Sequence, residues 1–191
     1  MDCSKITIGL QAVNCGQPAI PGTGPRVILL NYSEVDKGGS VINGNVIESI
    51  KFKVNTMKGY DFESLDNANL GEISLNKTTY FSNWQHDLTM RIFAKNENSK
   101  KFVNQLNGAR VIAIVENKEG GPDGEVKYEA YGWDSGLELN EGTASTDMAD
   151  LVVYQIKIGS GTNSKESSLP KSVFDTDLTT TESMLNSLVA A

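Results

Sequence analysis

The chain has 191 residues, 39% hydrophobic and 21% charged, which is enough for one substantial core and too apolar for a disordered chain. Its 17 basic and 24 acidic residues leave a formal charge of −7, which argues against a broad phosphate-gripping surface while allowing nucleic acid to pass nearby unbound. Two cysteines, Cys3 and Cys15, are too few for a closed zinc site or a disulfide framework; they read as free thiols, with a bridge between them left open.

The first residues, MDCSKITIGLQAV, have neither a basic leader nor a long apolar run. No window approaches the ~20 apolar residues of a membrane span. Synthesis in the cytoplasm without membrane insertion is the expectation, and the triplets Asn31-Tyr-Ser33 and Asn76-Lys-Thr78 are then chance matches to a glycosylation pattern.

Residues 14–25, rich in proline and glycine, read as the end of an extended N-terminal arm spanning 1–25. RVILLNY follows as a strand with an unbroken apolar run, hence buried on both faces. Residues 33–45 are polar and glycine-rich and read as a long connection of the kind that makes contacts. From Val46 an alternating strand places Ile50, Phe52 and Val54 on one face, and MKGYDFES reads as its returning hairpin partner.

LGEISLNKTTYF and HDLTMRIFAK give two more amphipathic strands. In NENSKKFVNQLNGA the period changes: Phe102, Val103 and Leu106 form a helical stripe that ends at Gly108. ARVIAIVENK is apolar on both faces and predicts a central strand, which GGPDGE turns back onto VKYEAYGW. DLVVYQIKIG alternates through Val152, Tyr154, Ile156 and Ile158. Within 160–191, a loop leads to a helix with Thr179 and Glu182 as a capping box ahead of Met184, Leu185, Leu188 and Val189. The sum is one mainly β domain over 1–191, an antiparallel sandwich or barrel with one mid-chain helix and a short C-terminal helix.

Several constellations invite chemistry and fail on parts. His86 is the single histidine, so a Ser-His-acid mechanism would need it beside Ser135, yet no Gly-x-Ser-x-Gly elbow is present; His86 reads as a strand-edge or turn residue. GSGTNSKES, residues 159–167, resembles a phosphate cradle, but Ser164 precedes Lys165, and Glu166 stands where a hydroxyl ligand for magnesium belongs, so it reads as a flexible loop. Residues 66–72 mimic a calcium loop, with Ala68 and Leu70 where oxygens are required. The acids Glu116, Glu119, Asp123, Glu125 and Glu129 read as a solvated hairpin. Asp134 and Ser135, in YEAYGWDSGLEL, read as the polar tip of a bulge or turn flanked by Gly132 and Gly136. No catalytic, metal or cofactor residue is expected. One alternative places Trp84, Trp133 and Tyr131 in a stacking platform of a carbohydrate-binding sandwich.

RVILLNYSEVDK, SLDNANLGEISLNK, FVNQLNGARVIAIVENK, KYEAYGWDSGLEL and SKESSLPKSVFDTDL resemble segments of the major tail tube proteins of long-tailed phages and related injection systems, of the type carried by Bacteroidales prophages. The resemblance implies a structural, non-enzymatic virion protein of the phage tail, assembled in the host cytoplasm as homo-hexameric rings that stack into a tube for DNA. It implies contacts with sheath, tape-measure and tail terminator proteins. Residues 14–25, 33–45 and 159–170 become the expected inter-subunit segments. A tail terminator or head–tail connector of similar fold is the nearest alternative.

Overall fold

The apolar run at residues 111–115 becomes the hub of the molecule. In the computed structural model, which describes residues 21–77, 82–146, 152–161 and 166–189, strand β7 (Arg110–Asn117) is flanked on one edge by β1 (Thr23–Asn31). Its other edge carries β8 (Tyr128–Tyr131) along Ala113 to Glu116, and β9 (Leu137–Ala144) at Arg110 and Val111. The fold is mainly β and sandwich-like, with two helices.

Period-2 alternation divides the core into two layers on either side of β7. Ile112 and Ile114 share one layer with Ile28 and Leu30 of β1, Tyr128 and Ala130 of β8, and Leu185 and Leu188 of helix α2 (Leu178–Leu188). Val111, Ala113 and Val115 share the other with Val27 and Leu29, with Leu88 and Met90 of β6 (Ser82–Ile92), and with Ile156 and Ile158 of β10 (Tyr154–Ser160). Helix α1 (Glu97–Leu106) closes one end of this second layer: Leu106 is buried, and Phe102 stacks on Phe62 at 5.5 Å. Asn96 caps α1 by accepting from Ser99 N, as the Asn-Glu-Asn-Ser run permits. The GGPDGE turn closes β7 onto β8 with Gly121 and Gly124 at positive φ.

Four expectations are corrected. The MKGYDFES strand, β4 (Tyr60–Glu63), pairs with β1 instead of forming a hairpin with β3 (Val46–Ser49), because Phe62 enters the core opposite Val27. Val54 is exposed and Phe52 makes an isolated bridge to Val35, so the strand from Val46 ends sooner than its alternation predicts. The 33–45 connection holds a strand of its own, β2 (Val41–Asn43), antiparallel to β3 across a Gly44-Asn45 turn. Beyond Pro170, β11 (Lys171–Val173) pairs antiparallel with β8 and parallel with β3, making the sheet mixed.

Two boundaries also move. β1 begins at Thr23, inside the expected arm, with an irregularity between Thr23 and Val27. The cap of α2 is Asp177, whose side chain accepts from Thr180 N, while Glu182 accepts from the Tyr128 hydroxyl at 3.4 Å. Cys3, Cys15, the arm before Pro21, Thr78 and residues 162–165 lie outside the described residues.

Candidate functional site

The residues that sequence reasoning singled out for chemistry meet in one buried polar clasp. Gly132 and Gly136, at φ +72° and +77°, bracket a tight turn that presents Asp134 and Ser135. Side chains are excluded at both glycines: a Cβ on Gly132 would sit 2.5 Å from Leu137 Cγ, and one on Gly136 would sit 2.7 Å from Arg110 Cγ.

Glu166 closes over this turn and is 2% exposed. Its carboxylate accepts from Asp134 N at 2.7 Å, Ser135 N at 2.8 Å and Ser135 Oγ at 2.5 Å, while its main chain exchanges two 2.9 Å bonds with Trp84. A buried carboxylate is tolerated when its lone pairs are filled in this way. In return, Asp134 accepts from both the amide and the hydroxyl of Ser167. The Asp134 carbonyl takes the Tyr32 hydroxyl at 2.6 Å and Lys37 Nζ at 3.1 Å. Burial opposes ionisation of Asp134, but the Ser167 bonds, with Lys171 and Lys37 nearby, outweigh it and hold the carboxyl below its ordinary value.

His86 lies beneath the clasp, 1% exposed, in the middle of β6 instead of at a strand edge. Gly132 N donates to Nδ1 at 3.2 Å, so the ring proton belongs on Nε2, which donates to the Ser168 carbonyl at 3.0 Å. Tyr131 packs edge-on at 5.6 Å. Burial lowers the imidazole pKa and prevails over the charges of Glu166, Asp134 and Asp87 and the Ser168 bond. Both ring nitrogens are thus committed to backbone groups, and the Ser135 hydroxyl donates to Glu166. The histidine, serine and acid come together, but without the serine-to-imidazole bond that nucleophile activation requires.

The remaining sequence candidates resolve into local structure. Glu116 pairs with Lys127 at 3.1 Å, and burial raises the pKa of Glu129, which accepts from Asn117 Nδ2. Asp66 and Asn67 form a turn, with Asn67 at φ +59° and Asp66 near Lys118 at 3.4 Å. Trp133 and Tyr131 are 3% and 4% exposed, leaving only half-buried Trp84 of the three proposed platform rings able to face a sugar. Glu166 belongs to the clasp rather than to a free loop. No cluster of metal-ligating side chains occurs among the described residues, and no described helix is long and apolar enough to cross a membrane.

A second feature lies on the opposite flank. β5 (Leu70–Lys77), β6, β10 and β9 form an antiparallel four-stranded blade. Register places Glu72, Asp87, Arg91, Lys157, Glu138 and Glu141 on its outward face. Lys157 is shared between Glu72 at 3.2 Å and Asp87 at 3.3 Å, and Arg91 reaches Gln155 and the Ala68 carbonyl. Four acids stand against two bases on these strands, Arg110 of β7 lies 3.7 Å from Glu138, and exposed Leu70 shares the face, which is mostly polar with a small acidic excess.

Both lateral edges of the blade are open among the described residues. β5 has β6 as its strand partner along its length, and β9 leaves β7 after Glu138, exposing its other side through Ala144. No family model, curated protein or solved structure matches this chain.

Proposed function

We propose that the chain is a structural subunit of a hollow tube of the phage tail type that its sequence resembles, and that it acts without catalysis. The observation that carries this reading is the four-stranded blade with two open edges. β9 and β6 run one way, β10 and β5 the other. Rotating a copy about an axis that faces the blade therefore sets its β9 beside β5 of the first copy in the antiparallel sense, with the polar faces still on one side. Repetition of that contact closes a ring, a heterologous interface of cyclic symmetry, and removes edges that a lone chain would expose to aggregation. Six copies are the number the resemblance implies.

The charge pattern supports the lumen assignment. An acidic wall gives a phosphate backbone no counterion-release gain, so DNA moves past it without being held. Exposed Leu70, Ile73 and Leu75 on β5 and exposed Val41 and Ile42 on β2 are apolar contacts available to neighbouring copies. In the virion tail the ring would meet its own kind above and below, with sheath, tape-measure and terminator proteins as further partners. A terminator or connector would share the ring and differ in not stacking.

Electron microscopy of concentrated protein tests the reading: rings and tubes of constant diameter are expected, and a strictly monomeric protein overturns it. For the specific contact, Ser74→Cys and Thr143→Cys, both on the outward face by register, in a background lacking Cys3 and Cys15 should give a ladder ending at the hexamer with a short thiol cross-linker. Cross-links within single chains alone would exclude the β5-to-β9 seam.

A further inference from the structure

The described residues contain two Asn-Gly steps, Asn43-Gly44 and Asn107-Gly108, and the fold treats them in opposite ways. We propose that Asn43 is a site of spontaneous, backbone-assisted deamidation and that Asn107 is protected from it. In this reaction the Gly44 nitrogen attacks Asn43 Cγ and a C–N bond forms. The side-chain nitrogen leaves as ammonia, giving a five-membered imide. Water then opens either carbonyl to yield aspartate or isoaspartate. The co-reactant is water alone.

Glycine is the favourable successor because it has no Cβ to hinder its nitrogen. At Gly44, as at Gly108, a Cβ would meet nothing within 4 Å, so the two sites differ in how their backbone is held and not in steric hindrance. Asn43 ends a three-residue strand at the border of the sheet, and β2, the turn and Asn45 are all exposed. Gly44 has φ +63° and Asn45 is not at positive φ, as in a hairpin turn with glycine first. Short edge strands of this kind open locally at low free-energy cost, which gives the nitrogen its approach. The Asn43 side chain is restrained by a single exposed 3.3 Å bond to Glu48 Oε1.

Asn107 is held instead. It is the C-cap of α1 at φ −60° and ψ −21°, its own amide donates to Val103 O, and Gly108 N is turned back onto Gln105 O at 3.3 Å. The nucleophile is occupied by the end of the helix.

The product matters to the fold. Deamidation sets a carboxylate against Glu48, replacing a hydrogen bond with repulsion. The isoaspartyl form also adds a methylene to the main chain at the start of a two-residue turn. Pairing of Ile42 with Ile47 and Val41 with Ser49 depends on that turn, and β2 would lose its register. The edge strand thus carries a chemical clock that a proline or lysine edge would lack.

Ageing the full-length protein in mildly alkaline buffer, followed by peptide mapping and isoaspartate detection, tests this. The peptide containing Asn43 should convert several-fold faster than that containing Asn107, with one added negative charge on ion exchange. Asn43→Gln should abolish the isoaspartate signal and keep the hairpin amides as slow to exchange as in fresh protein. Conversion at Asn107 as fast as at Asn43, or no conversion at Asn43 when an unfolded peptide of the same sequence converts, overturns the proposal.

Discussion

β7 and β5 have eight residues each and opposite surroundings. β7 is paired along both edges and covered on both faces, whereas seven of the eight β5 residues are exposed and one edge has no strand partner among the described residues. A strand inside the core is specified by apolar content alone. A strand at the margin has polar alternation on one face and apolar residues, Ile73 and Leu75, that its own chain leaves uncovered. The first kind contributes stability, and the second is where the proposed contact with another copy would form.

Substitutions should separate the two strands sharply. Ile114→Ala, at a position 1% exposed, removes a side chain from the middle of a core layer. It should cost about 2–5 kcal/mol by denaturant unfolding. Glu166→Ala leaves the half-buried Asp134 amide and the buried Ser135 amide and hydroxyl without their acceptor, a loss of about 1–3 kcal/mol, with faster hydrogen exchange at Asp134 and Ser135 than at β7 amides. If those two amides stayed as slow as before, the clasp would not be what holds the turn.

Gly136→Ala should cost about 1–2 kcal/mol, since an L side chain at positive φ is strained and its Cβ would press on Arg110 and Tyr32. The pH profile should fall on the acid side. His86 is held below 6.5, so the unfolded chain takes up its proton first, and this part of the stability is present above 6.5 and declines as pH falls below it. Asp134, held below 3.8, adds a second decline as pH falls through its folded value. Urea midpoints across this range should show both, and His86→Asn should remove the first.

Leu75→Ala is expected to change the stability of the isolated chain by no more than about 0.5 kcal/mol while weakening the proposed self-assembly, measured by light scattering. A cost equal to that of Ile114→Ala would make the β5 face a hidden part of the core and erase the contrast.

The strands legible in sequence were those whose signal is local. RVILLNY and ARVIAIVENK announced burial on both faces, and Phe102 with Leu106 announced α1, because composition and period suffice there. Pairing was less visible: β4 reads like a hairpin partner of β3, and its choice of β1 depends on Phe62 reaching Val27 across the fold. The clasp was legible in its members and invisible in its assembly. Asp134, Ser135, His86 and Glu166 each look polar and superficial, and only the arrival of Glu166 over the Gly132 to Gly136 turn makes their burial affordable. A hydropathy pattern has no means of signalling a carboxylate whose lone pairs are filled by amides 31 and 32 residues away.

The place of β11 sets an order of events during synthesis. Ser172 and Val173 pair with Val46 and Ile47, while Lys171 and Ser172 pair with Ala130 and Glu129. On a ribosome, β3 and β8 are both made long before the three-residue strand that joins them. Through that interval each presents a bare edge, and neither edge can be closed by a local turn. The sheet can therefore close at this point only once residue 173 is available, whatever the order in which the rest of the chain folds.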